Sequence, residues 1–84
     1  MKIPKYWKKT KSKKGFIKLY SSKLNTSCTL RYIENRGWNV WFSGDYNKYQ
    51  KLDYVSWLRA RKFAYGGMRM ANKKYDDDQT AFKW

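Results

Sequence analysis

Residues 27–43, SCTLRYIENRGWNVWFS, decide the fold. On either side of the central turn Asn35-Arg36-Gly37, apolar residues alternate with polar ones, and aromatic and β-branched side chains dominate. That pattern is typical of half-buried antiparallel strands. Gly37 can supply the positive φ that a tight turn needs. We therefore predict strands over residues 27–34 and 38–43.

Alternation assigns the side chains of these two strands to two faces. The more apolar face is expected to pack on the rest of the protein, and it holds Cys28, Leu30, Tyr32, Trp38, Val40 and Phe42. Arg31, Asn39 and Trp41 then point to solvent. The pattern leaves one alternative open, in which Trp41 packs beneath the N-terminal segment and is covered by Trp7.

A third strand is predicted before these two. Residues 16–22 alternate in the same way, and residues 23–26 supply a turn. The three strands together form an antiparallel meander. Phe16 and Tyr20 are assigned to the apolar face that packs on the helix, which places Lys18 there as well unless the register slips.

The C-terminal half of the chain predicts a helix. After Asp53, which suits the N-cap position, small and apolar residues recur every three or four positions to about residue 75. The adjacent Gly66 and Gly67 each cost about 1 kcal/mol relative to alanine in a helix, which favours a break or kink there. Residues 46–52 fit either a loop or a short edge strand.

The sequence thus predicts an α+β protein, a three-stranded antiparallel β-meander packed on a C-terminal amphipathic helix, with a basic N-terminal arm. The arm is residues 1–14, the single small domain is residues 15–75, and residues 76–84 form an acidic and aromatic tail. Three consecutive carboxylates cannot all point at one ion. We therefore expect the run Asp76-Asp77-Asp78 to be solvated, or to clamp the basic arm, rather than to bind a metal.

The composition points to a polyanionic partner. The 84 residues include 20 Lys+Arg and 6 Asp+Glu, for a formal net charge of +14. Five Trp, eight Tyr and four Phe are enough to build a core, so the charge does not imply disorder. So much positive charge on a short chain repels itself, and phosphate polyanions are the commonest partners that reduce this repulsion.

Several function classes are disfavoured by residue type. The chain has no His and a single cysteine, Cys28, so it cannot form an internal disulfide or a Cys-rich zinc site. No imidazole is present to activate the thiol, and the acidic residues before the tail are scattered. We expect no enzymatic activity, no cofactor and no metal. The absence of a long apolar segment predicts a cytoplasmic protein with no membrane partner.

We expect a small, basic, non-catalytic nucleic-acid-binding protein, for DNA or RNA, with Lys and Arg on phosphates and aromatic side chains stacked on bases. The alternative is a small effector, of the kind phages encode, that modulates a larger, acidic protein through a basic-aromatic surface. A homodimer through free edge strands is also compatible with the pattern. The residues expected to contact nucleic acid are Lys8, Lys9, Lys11, Lys13, Lys14, Arg31, Arg36, Trp41, Arg59, Lys62, Arg69 and Lys73.

The helical members of this set have a simpler interpretation too. Arg59, Lys62, Arg69 and Lys73 lie off the small-residue stripe, where an ordinary solvated helix face would also be charged.

The order of elements over residues 16–72, three strands and then a helix, resembles the plan of AP2-type and related integrase N-terminal DNA-binding domains. The resemblance is one of topology, and no residue of those families is carried over. It implies a sheet that reads the major groove of DNA. The lysine- and tyrosine-rich composition also resembles that of small bacteriophage early proteins.

Overall fold

The computed structural model describes residues 1–81, and it confirms the α+β class. Five strands precede one helix. They are β1 (Lys8–Lys13), β2 (Phe16–Ser21), β3 (Thr26–Ile33), β4 (Gly37–Gly44), β5 (Lys51–Val55) and α1 (Trp57–Ala81). The strands form one antiparallel sheet in the order β1-β2-β3-β4-β5, a meander in which every neighbour in sequence is a neighbour in space.

The three predicted strands are present, but the predicted count is wrong because β1 and β5 extend the meander on both sides. β1 lies in the segment that we expected to be a loose arm. Its sequence, KKTKSK, has no apolar residue and all six side chains are exposed, so alternation could not reveal it. Backbone pairing with β2 holds this edge strand in place. Its four lysines disfavour the addition of a second copy at that edge.

The helix begins later than predicted. Asp53 lies within β5, so its assignment as the N-cap is wrong. Ser56 occupies that position, and its Oγ accepts a hydrogen bond from the backbone N–H of Arg59 at 3.3 Å. α1 then continues past residue 75, so residues 76–81 of the expected tail are helical, while residues 82–84 lie outside the described residues.

The predicted break at the two glycines is also wrong, because α1 is continuous across them. Gly67 is buried against the sheet, and a Cβ there would overlap the ring of Phe42. The helix loses intrinsic stability at this position and gains a close approach to β4. Gly66 faces solvent, and a Cβ there would meet no atom within 4 Å.

The core lies between α1 and one face of the sheet. Direct pairing places Cys28 between Leu19 and Phe42, and Leu30 opposite Val40. The helix contributes small side chains and one larger one, namely Ala60, Ala64, Met68 and Ala71. Burial raises the pKa of the Cys28 thiol to about 12, so it packs in the core as a neutral group at physiological pH.

The face of β2 that we assigned to the core is the wrong one. Ile17 and Leu19 point towards α1, and Leu19 is fully buried. Ile17 is paired directly with Leu30 of the core, whereas Phe16 is paired with Arg31. Side chains of directly paired residues share a face. Phe16, Lys18 and Tyr20 are therefore on the solvent side.

The N-terminal residues before β1 are fastened to the helix. Trp7 is buried, and its indole N–H donates a hydrogen bond of 2.8 Å to Oδ1 of Asn72. The side-chain amide of Asn72 donates in turn to the carbonyl oxygen of Lys5 at 3.1 Å. Trp7 also meets Phe42 edge-on, with ring centroids 6.5 Å apart. Trp7 therefore packs on the helix side of the sheet, and the alternative in which it covers Trp41 is wrong.

The two glycines give a paired stability prediction. Gly66→Ala adds a methyl group in open space and should raise the free energy of unfolding by about 1 kcal/mol. Gly67→Ala forces an overlap with Phe42, and an overpacking cost of about 1–3 kcal/mol exceeds the same gain in helix propensity. Urea unfolding of both variants measures the difference. Equal stabilisation by both would contradict the close helix–sheet approach.

Candidate functional site

A basic and aromatic surface covers the side of the sheet that α1 leaves bare, here called the outer face. Its middle row crosses all five strands, because each residue is paired directly with the next. The row is Lys11, Lys18, Thr29, Trp41 and Lys51. Consecutive members are on the same side of the sheet and about 4.8 Å apart. Three cations and one tryptophan thus form a single line.

Two further rows flank this line. One contains Lys13, Phe16, Arg31 and Asn39, and the other contains Lys8, Tyr20, Ser27 and Ser43. The rings of Phe16 and Tyr20 therefore lie among cationic side chains and are half-buried. Trp41 keeps 37% of its surface exposed. The outer face presents three aromatic rings within a positively charged field.

A shallow cleft of about 480 Å³ adjoins Trp41. Lys48, Tyr49, Lys51 and Asp53 are among the residues that line it. Tyr49 is 89% exposed, so its ring is available to a ligand without rearrangement. An exposed phenol beside an exposed indole and two ammonium groups suits an anionic, planar ligand.

Five of the predicted residues meet on the outer face, and they are Lys8, Lys11, Lys13, Arg31 and Trp41. Lys9 pairs with Leu19, whose side chain faces the core, and Lys14 lies in the turn before β2. Arg36 lies in the β3–β4 turn, with its guanidinium 5.2 Å from the ring centroid of Tyr54. These three surround the face rather than belong to it.

The helical cations are on the other side of the molecule. Arg59, Lys62, Arg69 and Lys73 are exposed on the surface of α1 that points away from the sheet. The guanidinium of Arg69 lies 5.7 Å from the ring centroid of Tyr65, a cation–π contact that limits its freedom. The structure therefore divides the predicted residues between two surfaces.

Sequence reasoning missed Phe16, Lys18, Tyr20, Tyr49 and Lys51. The first three were assigned to the core face, since β2 is apolar on both faces and alternation alone cannot choose between them. In the structure, Phe16 is paired with Arg31 and Lys18 with Thr29, and this pairing places both on the outer face. Tyr49 and Lys51 lie in or next to β5, a segment whose conformation the pattern left open.

Asp53 and Glu34 line clefts with Trp41 and with Arg31, but within residues 1–81 neither carboxylate forms a salt bridge. The one salt bridge among residues 1–81 joins Lys5 and Asp76, with Nζ and Oδ2 3.8 Å apart. Asp76 also accepts a hydrogen bond from the hydroxyl of Tyr6 at 3.1 Å. The pKa of Tyr46 is raised first by desolvation, and also by its hydrogen bond to Asp78 and by the negative charge of Asp78. The acidic run thus reaches the N-terminal segment and Tyr46, and its pairing with the basic arm is at Lys5.

Neither a metal-binding cluster nor a membrane-spanning helix is present among residues 1–81. Within residues 1–81, no three His, Cys, Asp or Glu side chains come together in a way that could hold a metal ion. In the same part of the chain, no helix has the length and apolar character needed to cross a membrane.

Asn39 has a structural role, since its Oδ1 accepts a hydrogen bond of 2.9 Å from the backbone N–H of Tyr54.

No family model, no curated protein and no solved structure matches this chain. The five-stranded order also departs from the three-stranded plan of the AP2-type domains.

The middle row predicts that the free protein is stabilised by salt. Lys11 is paired directly with Lys18, and like charges opposite one another cost about 0.2–1 kcal/mol. Lys18→Gln should raise the free energy of unfolding by about that amount at low ionic strength. At about 1 M salt, where the Debye length is about 3 Å, the gain should vanish.

The matched control is Lys5→Gln, which removes the same charge from a lysine paired with Asp76. That variant should be no more stable than the parent at low salt. Chemical denaturation at both ionic strengths makes the comparison. A gain for Lys18→Gln that persists at high salt would show that repulsion is not its cause.

Proposed function

We propose that the protein binds nucleic acid, without catalysis, on the outer face of its sheet. The line of Lys11, Lys18, Thr29, Trp41 and Lys51 carries the proposal. The ammonium groups in this line bind phosphates and the exposed indole stacks on a base, whereas Thr29 is buried and contributes no contact. The line is about 19 Å long, at about 4.8 Å per strand, which is enough for several nucleotides.

The positive charge alone would suit any polyanion, whereas the aromatic side chains favour nucleic acid over other polyanions. Trp41 and Tyr49 are exposed next to lysines, and exposure of large rings among cations has no benefit for the core. Every base has a π-face on which such rings can stack, whatever its identity. Bases are accessible to stacking when they are unpaired. We therefore expect tighter binding to a single strand than to a duplex of the same length.

A second candidate function has its own surface. Tyr32, Tyr54 and Leu58 are each about half exposed at the end of the sheet near the β3–β4 turn. Tyr32 packs on Trp38, which packs on Trp57 with ring centroids 4.7 Å apart. Arg36 lies over Tyr54. Aromatic rings with an arginine are typical of protein-binding hot spots, so this end suits a protein partner if the protein is an effector.

Tryptophan fluorescence titration tests the proposed function. The ligands are single-stranded DNA, duplex DNA and RNA of one length, each at several salt concentrations. We expect quenching, strongest with a single strand, and dissociation constants of about 10⁻⁴–10⁻⁶ M at physiological salt for binding without sequence preference. Absence of quenching and of mobility shift with all three at low salt would contradict the proposal and direct attention to a protein partner.

Trp41→Ala and Lys18→Gln identify the face that binds. Loss of one stacked base, worth about 1–3 kcal/mol, should weaken single-strand binding by about 5- to 150-fold in Trp41→Ala. Lys18→Gln should lower the slope of log K against log salt by about 0.7, as for one lost phosphate contact on a single strand. Fluorescence anisotropy of a labelled oligonucleotide measures both effects.

Lys5→Gln again serves as the matched control, since Lys5 is on the helix side of the sheet and pairs with Asp76. Its salt slope should equal that of the parent protein. If Lys5→Gln and Lys18→Gln change the slope equally, binding follows net charge and not the outer face.

A further inference from the structure

The exposed side of α1 carries a second cationic surface that is separate from the outer face. Residues 59, 62, 66, 69 and 73 follow one another at spacings of three and four, so they form one stripe along the helix. Four of them are Arg59, Lys62, Arg69 and Lys73, and the fifth is Gly66. The stripe extends for about 21 Å at 1.5 Å per residue.

A shallow groove of about 780 Å³ runs beside this stripe. Its lining contains five cations, namely Lys2, Arg61, Lys62, Arg69 and Lys73, and among the residues described no carboxylate lines it. Gly66 lies between the cations, with no atom within 4 Å of where its side chain would be. A ligand backbone can therefore lie close to the helix at this point and reach cations on both sides.

Repulsion within the stripe costs the helix stability, and Asp76 and Asp77, at i+3 and i+4 from Lys73, offset part of that cost. Arg69 and Lys73 are like charges at i and i+4, which repel one another along the helix. Gly66 has no packing role, in contrast to Gly67, and costs helix stability. A row of cations around an open glycine is complementary to a phosphate backbone, which carries regularly spaced negative charge.

Geometry keeps this groove and the outer face apart. α1 packs on the inner face of the sheet, so the stripe and the outer face point in opposite directions. The molecule measures about 20 × 19 Å in cross-section. Since the Debye length at physiological ionic strength is about 8 Å, the two surfaces act as independent sites. A duplex is too stiff, with a persistence length of about 50 nm, to contact both.

We propose that one molecule holds two nucleic-acid segments at once, an unpaired strand on the outer face and a second phosphate backbone in the groove along α1. This inference rests on the proposed function and goes beyond it, because it makes the protein a bridge between two segments. The groove has Tyr65 beneath Arg69 and offers no exposed indole, so phosphate contacts dominate there. It should accept a duplex as readily as a single strand.

A co-capture assay tests the bridge. A biotinylated single strand of about 12 nucleotides, a length typical of single-strand sites, is fixed to beads, and a fluorescent duplex of unrelated sequence is supplied in solution. We expect the parent protein to retain the duplex on strand-coated beads and not on bare beads. Retention should pass through a maximum as protein is added, since excess protein fills strand and duplex separately.

Two variants identify the groove as the second site. The triple variant Lys62→Gln, Arg69→Gln, Lys73→Gln should still bind the strand, but the salt slope of duplex retention should fall by about 2.7, or about 0.9 per lost contact. Its control, the double variant Lys23→Gln, Arg36→Gln, removes charges that line neither the groove nor the cleft beside Trp41, and it should retain the duplex like the parent.

Gly66→Glu is the second variant, and it adds a carboxylate at the centre of the stripe. Because the site is open and glutamate favours helix, it should be at least as stable as the parent protein. It should bind the strand normally and lose duplex retention. Gly66→Ala, which gains stability without charge, should keep both activities.

The outcomes separate the two proposals. Strand binding without duplex retention by the parent protein would overturn the bridge and leave the proposed function intact. Duplex retention by the triple variant and by Gly66→Glu at the level of the parent would also overturn it, since bridging would then depend on self-association or on the outer face. Failure to bind the strand at all would remove the proposed function, and the bridge with it.

Discussion

A single helix can cover only one face of a sheet, and this constraint governs the molecule. The inner face of the sheet holds Leu19, Cys28, Leu30, Val40 and Phe42, and the small side chains of α1 pack on them. No second helix exists within residues 1–81 to cover the other face. Side chains there must tolerate solvent or meet a ligand. The lysines satisfy the first requirement, and the proposed ligand would cover the exposed rings of Trp41 and Tyr49.

Charge is the second constraint, and it acts against folding. With a net charge of +14 and one salt bridge among the described residues, repulsion is distributed over both exposed surfaces. The fold compensates with buried contacts that do not depend on charge. Examples are the Trp7–Asn72 hydrogen bond, which fastens the N-terminal segment to α1, and the approach of Gly67 to Phe42. Clustered cations are costly in the free protein, and the proposed binding of phosphates would neutralise them.

Alternation and helical spacing predicted the part of the fold in which one face is clearly more apolar than the other. That holds for β3, for β4 and for the small-residue stripe of α1. Alternation fails for β2, because Phe16 and Tyr20 on one face are as apolar as Ile17 and Leu19 on the other. Pairing with β3 determines which of these two faces packs on the helix. Alternation also fails for β1, whose backbone pairing leaves no trace in side-chain polarity. The same limits apply to the candidate site. Lys18 lies on β2, whose faces were assigned the wrong way round, and Lys51 lies on β5, where the pattern left the conformation open.

The two functions that the composition suggested belong to different parts of the molecule. The proposed nucleic-acid binding would use the outer face around Trp41, whereas a protein partner would use Tyr32, Tyr54 and Leu58 at the end of the sheet. Trp38 and Trp57 lie beneath that end and stack on each other. Trp41 is paired with Thr29 and Lys51, away from this stack. A substitution at Trp41 would therefore test the proposed nucleic-acid binding without removing the surface that a protein partner would use, so the two hypotheses are physically separable within a single small domain.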